Sequence, residues 1–486
     1  MACGPDVERA LNLNHCANRT GNAWCAELFP DGSRPYCEWG TVSQCGGTED
    51  RTGCVAQRPE ADECYSPCGG GLRVDEDASC VDADESSSGT STGMETEGSS
   101  DASSSGSSTT GPMPCTSDEE CTEPEAPFCG TAGECGTCDQ TADGDAACGG
   151  VDEALPLCVG QACVACTAED ASVCEPDGLV CDDMNTCVPC TEHEQCTVGA
   201  CELSVGRCFP SDSVQVAVDG DGGQDQTSLV AALGMVPDGG YGVVTVHETD
   251  GLGYPQVIVN GAKTIALLAA PGEAPIIQGT GGSPGVRVEA AGTILYMDGL
   301  RVAGNTGGLG VVVDEAFAWL DRSRIVQNSG GGLMASNGAE LTVRNCFVSV
   351  STNSTDAVVV TDATMNMSYT TVGAAANTGM PARALYCDVG GLANVRNSIL
   401  VSFEPGPDIE CPGLTISNSA TETELGMLSG TWFEDYNSGD LHLTPMAPIA
   451  IAMTALWETG DPATDIDGEP RPTIDGEPDY AGADVP

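Results

Sequence analysis

The sequence predicts an all-β protein. Its carboxy-terminal half reads as a parallel β-helix, preceded by small disulfide-rich modules with little regular secondary structure. Three observations carry this. A hexad recurs as MDGLRV, LDRSRI, VRNCFV, MSYTTV and VRNSIL, beginning at Met297, Leu320, Val343, Met367 and Val395, in steps of 23, 23, 24 and 28 residues. Apolar residues in each unit alternate, slip once, and alternate again. Of 28 cysteines, 25 lie before residue 209.

Period-two alternation marks a half-buried strand. In the third unit Leu341 and Val343 face one way, followed by Cys346, Val348 and Val350, with the slip at Arg344 and Asn345. The same slip falls at Asp298–Gly299, Asp321–Arg322, Ser368–Tyr369 and Arg396–Asn397. A slip at a fixed place is a bend that keeps the apolar side inward. A second apolar run follows at Val311–Val313, Leu333–Ala335, Val358–Val360, Leu385–Cys387 and Ile409–Cys411. Between the runs sits Asn305, Asn328, Asn353 or Asn377. Asparagine tolerates the left-handed backbone of a tight turn and can bond to the asparagine above. Three short strands per turn of roughly 20–30 residues describe stacked coils. Val, Ile, Thr, Asn and Gly dominate, and no helical spacing competes.

On these residues, 213–445 resembles the right-handed parallel β-helix proteins of the pectin-lyase-like group, over about half the chain. The resemblance implies polysaccharide chemistry, with clustered Asp, a Gly-His-Gly and an Arg-x-Lys in the hydrolases. Here the histidines are His15, His193, His247 and His442, none in that setting, and the single lysine, Lys263, follows Ala262. Asp298 and Asp321 occupy one corner of neighbouring coils, about 5 Å apart by strand spacing. With Arg301, Arg322, Arg324 and Arg344 expected close by, both carboxylates should stay ionised and serve badly as general acids. The lyases of the group use an Arg or Lys base with calcium, so this cluster stays a candidate. Gly281-Gly282-Ser283-Pro284-Gly285 matches G-x-S-x-G, but Pro284 has no N–H for an oxyanion. No lysine follows it to make a phosphate cradle.

Composition sets the compartment. The net charge is −57. Such a chain repels nucleic acid and anionic membrane surfaces. Cysteine density without a large apolar core indicates disulfide modules in an oxidising space. No apolar run approaches transmembrane length. Met1-Ala2-Cys3 is similar to the end of a bacterial lipoprotein signal, so one expectation is a start set too late and a lipid on Cys3; the other is an ordinary cysteine. A lipid there is the only membrane link the sequence suggests.

Five regions follow in order. Residues 1–81 form a disulfide-rich module, with Trp24, Tyr36 and Trp39 expected in its small core. Residues 82–114, rich in Ser, Thr, Gly and acidic residues, read as a disordered tether with ends roughly 30 Å apart. Residues 115–209 carry sixteen cysteines in four units of four, joined by Cys135/Cys138, Cys163/Cys166 and Cys187/Cys190. Paired Cys-x2-Cys can bind zinc. With one histidine, His193, and one basic residue, Arg207, eight disulfides in an elongated stalk fit better. Residues 213–445 are the β-helix. It opens on a helix, Ser228–Met235, with a Ser cap, expected to cover the end of the stack. Val243–Val246, Val257–Val259 and Ile265–Leu268 read as its first strands. Residues 446–486 form a tail holding DIDGEPR, which resembles the D-x-D-G-x-x-R segment that ends many bacterial β-helix proteins. It should pack along or cap the last coil.

Ligand expectations are specific. Tyr296 and Trp319, outward on neighbouring coils, are candidates to stack on sugar rings, with Asp298, Asp321 and Arg344 beside them. The competing reading is that a loop or the tail covers them. Asp219, Asp221 and Asp225 have calcium-loop spacing but lack the later Glu of an EF-hand, so a solvated turn competes. Calcium is the one cofactor suggested. Cys387 and Cys411 hold the same position in successive coils, within disulfide reach. Cys346 should be a buried packing residue. The function expected is a non-catalytic secreted or surface protein whose β-helix serves adhesion or recognition of glycans or another surface protein. The alternatives are a polysaccharide lyase or hydrolase, and an architectural envelope protein.

Overall fold

The computed structural model describes residues 22, 25, 33–37, 54–56, 73–74, 80–81, 115–121, 126–251, 253–350, 355–374, 382–402, 407–426 and 429–486. They fall into two units, Met1–Ser108 and Thr109–Pro486. In the first, Tyr36–Cys37 pairs antiparallel with Cys54–Val55, and Arg73–Val74 with Cys80–Val81. Cys25 and Cys54 form a disulfide. Cys3, Trp24, Trp39 and the tether lie outside the described residues.

The second unit opens with the cysteine repeats. Each set of four pairs first with third and second with fourth. The bonds are Cys115–Cys129 and Cys121–Cys135, Cys138–Cys158 and Cys148–Cys163, Cys166–Cys181 and Cys174–Cys187, then Cys190–Cys201 and Cys196–Cys208. Their thiols are spent on one another rather than on zinc. The disulfides fit an oxidising setting. No helix among the described residues is long and apolar enough to cross a membrane.

From Val214 the chain winds into a right-handed parallel β-helix. Among the described residues its coils form parallel sheets of nine, eight and seven strands. Sheet 1 runs from Val214–Val218 to Leu414–Ser417, sheet 2 from Tyr254–Pro255 to Ala420–Thr421, and sheet 3 from Val257–Val259 to Ile409–Glu410. Met297, Leu320, Val343, Met367, Val395 and Ile416 stack in register as one interior file of sheet 1. The first five are at most 2% exposed. Each such burial is worth about 1.5–3 kcal/mol, so the file holds the coils together.

The bends are where the sequence slips. One left-handed residue turns each coil: Gly299, Arg322, Asn345, Tyr369, Asn397 and Asn418, with φ of 72°, 42°, 53°, 46°, 53° and 47°. Asparagine takes half of them because it bears this backbone at least cost. The next residue in most coils points inward and bonds back. Ser323, Cys346, Thr370, Ser398 and Ser419 each donate to the carbonyl two residues earlier. Cys346 is therefore a member of a polar ladder as well as a packing residue.

The other bend differs from expectation. Gly304 and Gln327, not Asn305 and Asn328, carry the left-handed backbone. The asparagines are buried and bond to each other, Asn305 Nδ2 donating to Asn328 Oδ1 at 2.7 Å. Asn353 and Asn377 lie outside the described residues.

The helix Leu229–Met235 closes the amino-terminal end. Ser228 Oγ accepts the Ala231 N–H at 3.2 Å, and Leu229, Ala232 and Leu233 bury onto the core. At the far end the coils stop at Thr421, short of residue 445. Phe433–Asp435 and Asp440–Leu443 instead form an antiparallel hairpin belonging to the tail. Residues 429–486 run along the outside of sheet 2. There Trp432, Phe433, Tyr436, Leu441, Ile451 and Trp457 build a second core with Phe347, Tyr369 and Ile399 of the coils. Gly373 permits this approach, since a Cβ there would lie 2.8 Å from the Tyr436 ring.

Candidate functional site

The fourth cysteine unit, Cys190–Cys208, does not stand free as a stalk. It sits on the outer face of sheet 1, because that face carries the aromatic and charged residues that outward strand positions alternate with the core. Tyr296 is 0% exposed. Its hydroxyl lies 2.7 Å from Ser204 Oγ, and its ring meets Phe209 and Phe317, each at 6.0 Å between centroids. Burial pushes its hydroxyl up to about 12. Tyr296 is thus unavailable to a sugar, a correction to its reading as a stacking residue. Trp319 is half-buried, with the Arg344 guanidinium 5.7 Å from its ring centroid.

Asp298 and Asp321 do stack, and their register continues into Arg344. Each carboxylate is held by the arginine from one coil later. Arg322 donates through Nε to Asp298 at 2.9 Å, and its Nη2 also bonds there. Arg344 donates through Nε to Asp321 at 2.8 Å, with Nη2 on the same oxygen. The cysteine unit closes over both pairs: Glu194 lies 3.1 Å from Arg322, and Glu192 lies 3.5 Å from Arg344. Arg301 and Arg324 are not part of this group. The bend carries them to sheet 2, where Arg301 donates to Gln327 at 3.2 Å and Arg324 to Asp467 at 2.5 Å.

Burial dominates the titration of this seam. It raises Asp298, against the opposing pull of Arg322. Burial also raises Glu192 to about 7 and lowers His193 to about 4. His193 Nδ1 accepts the Cys201 N–H at 3.0 Å, which places the proton of the neutral ring on Nε2. That atom and Trp319 Nε1 are buried and unpartnered, a setting for bridging water. As arranged, the seam binds the cysteine unit to the coils. It does not present a carboxylate pair to a substrate.

The other predicted groups are placed separately. Asp219 Oδ1 accepts the Asp221 N–H, Asp221 Oδ2 bonds the Asp250 N–H, and Asp225 Oδ2 accepts from Ala217. The loop thereby lines the first strand edge. Cys387 and Cys411 form a disulfide with Cα atoms 4.4 Å apart. In the tail, Asp465 Oδ1 accepts the N–H groups of Asp467, Gly468 and Glu469, all at 2.9 Å. Arg471 lies 4.2 Å from the Tyr369 ring centroid and donates to Asp479 at 3.0 Å and Gly482 at 2.9 Å. The DIDGEPR segment is a fastening onto sheet 2.

Beyond the cysteine unit, no described residues cover sheet 1. Thr342, Asn366, Asn394 and Thr415 form one outward register file, with Thr364, Ser368 and Ser417 beside it. Asn394 Nδ2 donates to Asn366 Oδ1 at 2.9 Å. Composition hid this strip, because Thr, Asn and Ser at outward positions look like ordinary solvated residues. The signal available was their recurrence at the coil period.

Together these features define a disulfide-repeat protein ending in a parallel β-helix. A family model described as "Family of unknown function (DUF8331)" matches residues 100–214, the region of the cysteine units. No curated protein matches the chain. Among solved structures, pectin methylesterase from carrot is similar over 43% of this chain and 82% of its own, at 14% identity and TM-score 0.28. A pectin methylesterase from Aspergillus niger is similar over 44% and 84%, at 13% identity and TM-score 0.28. The strand register, rather than this likeness, is what establishes the β-helix.

Proposed function

We propose that this chain is a non-catalytic secreted or cell-surface protein whose open face of sheet 1 recognises a neutral, hydroxyl-rich glycan. The observation carrying this reading is the uncharged file Thr342, Asn366, Asn394 and Thr415 on a molecule of net charge −57. Amides and hydroxyls offer both donors and acceptors. Their strand spacing, about 4.8 Å, suits a linear polymer of similar repeat. The surrounding negative charge disfavours uronic-acid polymers. The seam supports a structural role for Asp298, Asp321 and Arg344, since it engages all three beneath the cysteine unit.

A glycan array holding neutral polysaccharides and uronic-acid polymers tests this, together with product analysis on the latter. Binding to a neutral glycan, weakened at least tenfold in Asn366→Ala/Asn394→Ala, is the expected result; tenfold is about 1.4 kcal/mol. Release of oligosaccharides from a uronic-acid polymer, or neutral-glycan binding indifferent to both substitutions, would overturn it.

A further inference from the structure

We infer that two copies of this chain join head to head through the last strand of sheet 1, Leu414–Ser417. A β-helix leaves strand edges at both ends, and an unprotected edge is a template for another strand. The two ends of this stack are treated differently.

At the amino-terminal end the edge strand Val214–Val218 is occupied at Ala217 and Val218. Gln226 bridges to Val218, the Gln226 N–H donates to Ala217 O at 3.1 Å, and Asp225 accepts the Ala217 N–H at 3.0 Å. The helix Leu229–Met235 seals the interior behind it. At the carboxy-terminal end, the edge of Ala420–Thr421 meets the short helix Glu422–Leu425. The edge of Ile409–Glu410 carries a charge and is followed by Pro412, both devices that blunt edges. Leu414, Thr415, Ile416 and Ser417 have neither. No strand follows them in sheet 1 among the described residues.

Among the described residues the interior is less covered at the same place. Ile409, Cys411, Leu414 and Ile416 are only partly buried, whereas Leu385, Cys387, Ala393 and Val395 one coil earlier are 0%, 3%, 0% and 2% exposed. The Ala393 N–H bonds to Gly413 O and the Asn397 N–H to Ser417 O. This parallel register turns the N–H and C=O of Leu414 and Ile416 away from the stack.

The complement of this edge is a second bare edge. The amino-terminal edge of another copy is occupied at Ala217 and Val218 and its interior is sealed by the helix Leu229–Met235, which obstructs stacking head to tail into a fibre. The remaining partner is the same strand, related by a two-fold axis and closed at a dimer. Matching the outward N–H and C=O groups centres the antiparallel pair on Thr415. Leu414 and Ile416 then exchange hydrogen bonds with Ile416 and Leu414 of the second copy, and the two Thr415 residues stand directly opposite. Thr415 and Ser417 are uncharged, so the strand pair itself brings no like charges together. The axis is normal to the sheet, so both polar faces stay on one side and become one longer face. The pairing does not depend on what that face binds.

The test is sedimentation of the full, disulfide-bonded chain at physiological salt, from low micromolar to near-millimolar concentration. The expected result is a shift toward twice the 49.4 kDa of one chain. Thr415→Lys places like charges opposite each other and should hold the chain at one mass with an unchanged melting temperature. Thr415→Cys should give a disulfide-linked dimer on oxidation, its Cα atoms about 4.5–5.5 Å apart. Asn394→Cys, about 14 Å from its mate across the axis, should not cross-link. A chain that stays at one mass throughout would overturn the inference. So would a dimer that Thr415→Lys leaves intact, or one that cross-links no better through Thr415→Cys than through Asn394→Cys.

Discussion

Arg322 and Arg344 do two jobs at once. Arg322 is itself a left-handed bend residue, and both reach back one coil to a buried aspartate. The Asp321–Arg344 pair is the deeper, with side chains 3% and 7% exposed. Its desolvation is offset by two charge-assisted hydrogen bonds to one carboxylate oxygen. Removing one partner strands the other as a buried charge. Arg344→Ala should therefore lower unfolding stability by about 3–5 kcal/mol, read by chemical denaturation. The double variant Asp321→Asn/Arg344→Met should recover much of that loss, because it removes both charges. Arg322 is 30% exposed, so Arg322→Ala should cost less.

At the scale of the element, each coil is a strand, a left-handed corner, and an inward hydroxyl or thiol that bonds back across the corner. Stacking repeats that corner, so coils support one another mainly through their neighbours. The Cys387–Cys411 bridge ties the last two complete coils where the interior begins to open. With a separation of 24 residues, its loss should cost about 3 kcal/mol on the loop-closure scale. In Cys387→Ser/Cys411→Ser, hydrogen exchange should quicken in Leu385–Ser417 and stay unchanged around Val243–Val288. Uniform quickening along the stack would show that the coils unfold as one and that the bridge acts globally.

Across the second unit, two additions grip different faces of one β-helix. The fourth cysteine unit holds sheet 1 through Tyr296 and the arginine pairs, and the tail holds sheet 2. The tail's grip depends on charge. Hydrogen bonding to Asp467, supported by Asp440, raises His442 to about 9 despite its partial burial. A histidine raised in the folded state contributes stability that is complete below its unfolded value of 6.5 and disappears as pH passes the folded value. The melting temperature should fall between about pH 7 and about pH 9.5, and His442→Ala should flatten that slope. The seam overlaps only the lower part of this window. Glu192, raised to about 7, adds to the fall only up to about pH 8, so the slope above that pH belongs to His442; His193, lowered to about 4, acts below the window.

The hexad recurrence by itself determined the β-helix, its interior file, the corner positions and the Cys387–Cys411 bridge. It could do so because coil stacking turns a period along the chain into a contact in space. Cysteine spacing likewise determined four repeated units, while the pairing of first with third and second with fourth needed the coordinates. Tertiary structure alone decided what lies on the outside. Whether Tyr296 and Trp319 were free or covered stayed open, because period two says only that a residue faces away from the core. It does not say that a unit about a hundred residues earlier will fold back over it. The burial that raises Asp298 likewise left no mark in the sequence. Outward faces are settled by what docks on them, and docking leaves no period to read.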